Sequence, residues 1–186
     1  SEEDTIVTES ITVVLSKAGW IRSAKGHEID PTSLSYRGDD SLQDFARGKS
    51  NQLVVFLDSN GKAYSIPSHS LPSARGMGEP ITGRLNADSG VQFISSVIGK
   101  DQDKFLIMNS GGYGYISSYE NMTSNKKSGR AFMKLPENAQ MLKAIPVRED
   151  HTHIAAVSNI GKLLIFEIGE LPCLLYTSPS PRDLRL

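Results

Sequence analysis

Apolar positions in this chain fall in short runs that stop at small polar clusters, and four of these clusters close on glycine. The first such segment is Val13-Val14-Leu15-Ser16-Lys17-Ala18-Gly19-Trp20-Ile21, the second Val54-Val55-Phe56-Leu57-Asp58-Ser59-Asn60-Gly61-Lys62-Ala63-Tyr64. The third is Phe105-Leu106-Ile107-Met108-Asn109-Ser110-Gly111-Gly112-Tyr113-Gly114-Tyr115, and the fourth runs from Ile154 through Gly161 to Leu164. Each reads as a β-hairpin, because β-branched and aromatic flanks favour strands and glycine supplies the positive φ of a tight turn. Asn60-Gly61 predicts a two-residue type I′ turn. The turn glycines Gly19, Gly61, Gly112 and Gly161 lie 42, 51 and 49 residues apart.

A second repeated element follows the first three hairpins. It reads Ser23-Ala24-Lys25-Gly26, then Ser73-Ala74-Arg75-Gly76-Met77-Gly78, then Asn125-Lys126-Lys127-Ser128-Gly129-Arg130. Polar connections such as Gly48-Lys49-Ser50-Asn51 and Gly99-Lys100-Asp101-Gln102 lead into the next hairpin. Periods of this length point to stacked sheets that bury their faces on one another. The expected fold is all-β: a truncated, propeller-like array of four-stranded blades, about three full blades plus the first hairpin of a fourth. The repeats are placed at 10–52, 53–103, 104–153 and 154–172. Helical periodicity is poor; its best stretch, Ser41–Arg47, also alternates as a strand does. Residues 1–9 read as a linker remnant. Residues 173–186 carry Pro179 and Pro181 and read as a disordered or non-native read-through tail without strands.

Composition narrows the chemistry. With one cysteine, Cys173, there is no internal disulfide framework and no cysteine-based zinc site. The acidic start, Ser1-Glu2-Glu3-Asp4, lacks the pattern of a signal peptide, and no apolar run is long enough to span a membrane, so a cytoplasmic protein is expected. No nucleophile–base set and no phosphate-binding loop opening a helix is present, so no catalytic residue, bound cofactor or metal is expected. His151-Thr152-His153 lacks a third ligand, and the paired acids Asp39-Asp40 read as solubilising. Trp20, Tyr64, Tyr113, Tyr115 and Phe166 fall on second strands of hairpins and read as packing between sheets. The basic residues beside glycine are more informative. A cation next to a glycine lets backbone and side chain meet one phosphate, and repetition would line such loops along one side of the array. The formal net charge of −1 requires that positive charge be segregated, and leaves ordinary solvated turns as the competing account.

Val13–His27, together with Leu71-Pro72-Ser73-Ala74-Arg75-Gly76-Met77-Gly78-Glu79-Pro80 and Leu135-Pro136-Glu137-Asn138-Ala139, resembles the C-terminal domain of the A subunit (ParC) of bacterial topoisomerase IV. That resemblance implies a β-pinwheel related to the C-terminal domain of the DNA gyrase A protein. It implies a domain without bond chemistry that binds and bends the transported double-stranded DNA segment and steers relaxation and decatenation. Its expected partners are the rest of ParC and the separate ATPase chain of the parent heterotetramer, a nucleoid-associated type II topoisomerase of the bacterial cytoplasm. In the parent enzyme magnesium serves cleavage, and the ATPase chain uses ATP. The gyrase run Gln-Arg-Arg-Gly-Gly-Lys-Gly is absent, which favours topoisomerase IV over gyrase. Carried over to this sequence, the DNA-facing residues are Arg22, Lys25, Arg47, Lys49, Arg75, Arg84, Lys126, Lys127 and Arg130. The alternatives are a propeller-like protein-interaction module or the equivalent gyrase domain.

Overall fold

The computed structural model describes residues 7–148, together with the backbone of the strands at 153–157, 163–167 and 173–174. Three four-stranded sheets and one two-stranded hairpin follow one another along the chain. In the first, β1 (Ser10–Ser16) and β2 (Trp20–Lys25) form the hairpin and β3 (Leu42–Lys49) returns beside β1. In the second, β4 (Leu53–Asp58) and β5 (Lys62–Pro67) are flanked by β7 (Phe93–Val97), and in the third β8 (Lys104–Met108) and β9 (Gly114–Ser118) by β11 (Ile145–Val147). The last hairpin is β12 (His153–Val157) with β13 (Leu163–Glu167).

The fourth strand of each complete sheet comes from further along the chain. After the second hairpin the chain crosses back, and β6 (Glu79–Pro80) pairs with β2 of the first sheet. After the third hairpin, β10 (Arg130–Ala131) likewise pairs with β5 of the second. Each four-stranded blade is thus completed by a strand lent by the unit that follows. This swap distinguishes a pinwheel from an ordinary propeller. β14 (Cys173–Leu174) closes the third sheet, parallel to β9. That corrects the boundary drawn at 172: the prolines that argued against strands stand at Pro179 and Pro181, beyond this pair, and 175–186 lies outside the described residues.

Central strands are buried on both faces, which is why they read as continuous apolar runs rather than as alternation. Val54 and Phe56 join a core with Val13, Leu15 and Ile21 of the first blade, while Val55 and Leu57 face a second core with Ile107 and Tyr115 of the third. Burying a side chain the size of Phe56 in this way is worth about 2–3 kcal/mol. Ser41–Arg47 falls largely within β3, whereas the one α-helical turn among the described residues, α1 (Tyr119–Met122), has no counterpart in the sequence pattern. The Ser118 hydroxyl caps α1 by accepting from the Asn121 amide.

The first three hairpins close with one turn. The amides of Gly19, Gly61 and Gly112 donate to the carbonyls of Ser16, Asp58 and Asn109, and each glycine has φ between 81° and 92°. In each turn the side chain of that third preceding residue also accepts a backbone N–H, from Trp20, from Asn60 and Lys62, and from Gly111 respectively. The expected type I′ turn at Asn60-Gly61 is therefore corrected. Asn60 does not have the positive φ that type I′ demands, and Leu57 pairs with Ala63 across a longer loop ending in left-handed Gly61. The Asp58 carboxylate holds that loop by binding two of its amides.

Candidate nucleic-acid interface

The blades have an inner and an outer edge. β3 and β7 pack on one another, whereas β6 and β10 lie at the opposite ends of their sheets. The outer edge is therefore made of the borrowed strands and the crossover loops that deliver them, Leu71–Gly78 and Thr123–Gly129. The inner edge carries Asp44, whose ionisation is pushed up by burial although its carboxylate accepts from the Ser96 amide at 2.8 Å. That edge is unsuited to an anion.

The two crossover loops share their geometry at a spacing of 51 residues. The hydroxyl of Ser73 accepts from the Arg75 amide and that of Ser124 from the Lys126 amide, both at 3.2 Å. Gly78 and Gly129 then take left-handed φ of 88° and 71° just before the borrowed strands. Neither position has space for a side chain. A Cβ on Gly78 would stand 2.5 Å from the Ile21 carbonyl oxygen, and one on Gly129 would stand 2.6 Å from the Tyr64 ring. Each loop is thus pressed onto the preceding blade while Arg75, Lys126 and Lys127 project into solvent. Among the described residues, no carboxylate or carbonyl engages the charged ends of these three side chains.

The first basic copy is not equivalent to the other two, contrary to what the repeat predicts. Ser23–Lys25 is the end of β2, and Ser73 pairs with Ser23 in a parallel bridge, so two sequence copies lie against each other. The Ser23 amide donates to Pro72 O at 2.8 Å and the Ala74 amide to Ser23 O at 2.9 Å. Exposed Lys25 consequently sits beside the Arg75 loop, on the same outer strip.

Lys49 and Arg47 are exposed at the end of β3. The Lys49 ammonium donates to the Ser10 hydroxyl at 2.8 Å, and the Arg47 guanidinium to Ile29 O at 3.2 Å while lying 4.8 Å over the Phe45 ring. The Gly48-Lys49 turn has a twin that the family resemblance did not supply. The Lys49 amide donates to the Gln52 side chain and the Lys100 amide to the Asp103 carboxylate, at 2.7 and 2.8 Å, in turns again 51 residues apart. Gln52 donates to Gly99 O at 2.7 Å, joining the two turns, and Lys100 is exposed. The spacing alone was sufficient to find it. Arg37 was also missed; its guanidinium stacks 4.2 Å over half-buried Trp20, so Trp20 packs against a cation rather than between sheets.

Three candidates are corrected. Arg22 is 4% exposed, and its two terminal nitrogens donate to Gly76 O at 2.7 Å and Ser35 O at 2.6 Å, so it cannot reach a phosphate. Arg84 is paired with Glu79 at 2.8 Å and bonds the Ser70 carbonyl and hydroxyl, so its charge is largely spent internally. Arg130 donates to Asn121 O and lies over the Phe132 ring at 5.5 Å, its Nε buried. Nearby carbonyls, acids or rings engage all three cations first, although the buried Arg130 Nε has no hydrogen-bond partner among the described residues. Lys25, Arg75, Lys126 and Lys127 form the outer strip, with Lys49 and Lys100 on the turns between blades.

No family model matches the chain. It is 44% identical over 174 residues to the A subunit of DNA topoisomerase 4 from Haemophilus influenzae, covering 94% of this chain and 23% of that protein. Among solved structures it matches the E. coli ParC C-terminal domain at 40% identity and a TM-score of 0.77, covering 89% of this chain and 68% of that one. The chain belongs to the ParC family of topoisomerase IV. It corresponds to the C-terminal part of ParC and spans under a quarter of the length of that curated relative, 23%. The DNA gyrase A C-terminal domain shares the fold, with a TM-score of 0.68 at 18% identity over 96% of this chain and 61% of that one. The β-pinwheel expected from the resemblance is therefore the fold of this topoisomerase IV domain. Among the described residues no helix is long and apolar enough to cross a membrane.

Proposed function

We propose that this domain binds duplex DNA along its outer edge and bends the segment that the parent enzyme transports. The observation that carries the reading is recurrence: two successive crossover loops with the same hydroxyl-capped turn and left-handed glycine present unpaired, exposed cations, Arg75 and Lys126–Lys127, at equivalent positions. Loops fixed by a backbone bridge at Ser73 or by hydroxyl-capped turns hold charge in place, and regularly spaced charge on the rim of a curved array suits a bent phosphate backbone. Described strands and turns present no base-reading helix, so binding is backbone-led and weakly sequence-specific. The domain makes and breaks no bonds; cleavage with magnesium belongs to the rest of ParC and ATP hydrolysis to the separate ATPase chain. Its setting is the bacterial cytoplasm, at the nucleoid.

The net charge of −1 favours one second reading, a protein-interaction module, and one titration separates the two. Fluorescence anisotropy of this chain with a duplex of about 40 base pairs is followed across salt concentrations. Phosphate-led binding weakens linearly in log–log form with a slope near −0.9 per contact, and the combined R75E/K126E/K127E substitution should flatten that slope by about 2.7. No binding at low salt, or a slope unmoved by the triple substitution, overturns the proposal.

A further inference from the structure

We infer that Arg22 is a positioning residue for DNA contact: from inside the first blade it fixes the crossover loop that presents Arg75. The inference rests on the proposed DNA-binding role of that loop. Arg22 lies on β2 at 4% exposure, and among the described residues no carboxylate makes a direct ion pair with it, although Asp40 is close enough for the Arg22 charge to help hold its carboxyl below the usual range. One terminal nitrogen donates to Gly76 O, 54 residues away in the loop lent by the second unit, and the other to Ser35 O in the excursion between β2 and β3. Its guanidinium lies 4.9 Å from the centre of the Tyr36 ring, and the Tyr36 hydroxyl donates to Pro31 O at 2.7 Å. The planar fork therefore ties three segments together, and its target is the residue immediately after Arg75.

The chemistry requires arginine. A buried cation is costly unless its donors are satisfied, and here the fork spans two carbonyls facing it from different segments. Lysine has a single nitrogen and cannot span both. Gly76 has no side chain with which to anchor itself and Met77 beside it is 43% exposed, so the tip's own tethers are the local bonds of the Arg75 and Gly76 amides to Ser73. The Ser73–Ser23 bridge holds the loop's entry and Gly78 its exit; Arg22 holds the point between them. In the second and third blades the same position, three residues after the turn glycine, is Tyr64 and Tyr115; Tyr64 confines its loop by packing on Gly129, so anchoring through a hydrogen-bonding fork is specific to the first blade.

The test uses the full chain with R22K, Y36L, R75Q and the double variant R22K/R75Q. Hydrogen exchange at the Arg75–Gly78 amides reads the loop directly. It should accelerate at least tenfold in R22K and in Y36L, while exchange in the equivalent Lys126–Gly129 loop stays unchanged. Anisotropy with the duplex should show R75Q weakening binding about eightfold at 0.1 M salt, the value of one contact. R22K should lose nearly as much, and the double variant no more than R75Q. Unchanged exchange at Arg75–Gly78 overturns the inference whether or not DNA binds, and so do fully additive affinity losses. If the parent chain does not bind DNA, the proposed function fails, while the exchange measurement still decides whether Arg22 fixes the loop. Should R22K not fold, Y36L, which leaves the buried cation in place, carries the same readouts.

Discussion

Gly19 and Gly61 offer a matched pair for measuring what the strand swap contributes to stability. Both close the same turn, with φ of 82° and 81°, so an alanine at either meets the same left-handed strain, about 1 kcal/mol. Their surroundings differ. A Cβ on Gly19 would lie 3.7 Å from the Ile81 side chain, an ordinary contact, whereas one on Gly61 would lie 2.1 Å from the Met133 carbonyl oxygen. That oxygen belongs to the segment lent by the third unit, and it can retreat only by carrying the segment outward. Gly61 O accepts from the amides of Phe132 and Met133 at 2.8 and 2.9 Å, and both bonds would stretch with the movement. At about 1 kcal/mol for each, plus the strain, G61A should cost about 3–4 kcal/mol, against about 1 kcal/mol for G19A. Urea denaturation followed by far-UV circular dichroism measures both. If the two variants lie within about 0.5 kcal/mol of each other, the borrowed segment is not held at Gly61 as described.

Other consequences can be checked independently. The Tyr119 hydroxyl donates to Leu53 O at 2.6 Å, and burial, with the Asp101 carboxylate nearby, pushes its ionisation up to about 12. The fold favours the protonated phenol, so this stability is complete below the ordinary value of about 10 and is lost as pH rises toward 12; Y119F should flatten the decline in urea midpoint above about pH 9.5. Replacing Lys100 by Glu should weaken duplex binding as much as K49E does, if the twin turns contribute equally, and anisotropy at one fixed low salt compares them. By contrast R84E should leave the salt slope unchanged, since Arg84 is committed to Glu79 and Ser70. A slope flattened by about 0.9 would place it among the phosphate contacts after all.

Hairpins were legible because their signals are local. An apolar run, a capping side chain at Ser16, Asp58 or Asn109 and a glycine three residues later suffice to close a turn, whatever it packs against. The swap was not legible, since β6 and β10 are two residues long and Glu79-Pro80 has no strand character of its own. Its trace in the sequence is the pair Gly78 and Gly129, which are confined by Ile21 and Tyr64 of the preceding blade rather than by their own unit. Candidate cations were misjudged for a similar reason. A single-residue rule sends arginine to the surface, yet the repeat places Arg22 where Tyr64 and Tyr115 stand, and all three positions are buried. Comparing units position by position would have moved Arg22 inward and drawn in Lys100 as the partner of Lys49.

The same swap bears on how this rim could carry load. Each crossover loop belongs by sequence to one unit and by pairing to the blade before it, so a force applied at Arg75 passes into β2 through Ser23 and Arg22. Force at Lys126 passes into β5, with Gly129 pressed on Tyr64. Bending a duplex of 20–30 base pairs costs of order 1–6 kcal/mol, comparable to the few kcal/mol assigned above to the Gly61 anchorage of one borrowed segment. A rim of free-standing loops would yield under such a load before the DNA did. Loops anchored in the neighbouring blade pull on two sheets at once, and the blades must give way together. On the proposed DNA-bending role, G61A, which loosens a borrowed segment without touching an exposed cation, should therefore lose DNA bending before it loses DNA binding, an order of failure that variants at the exposed cations should reverse.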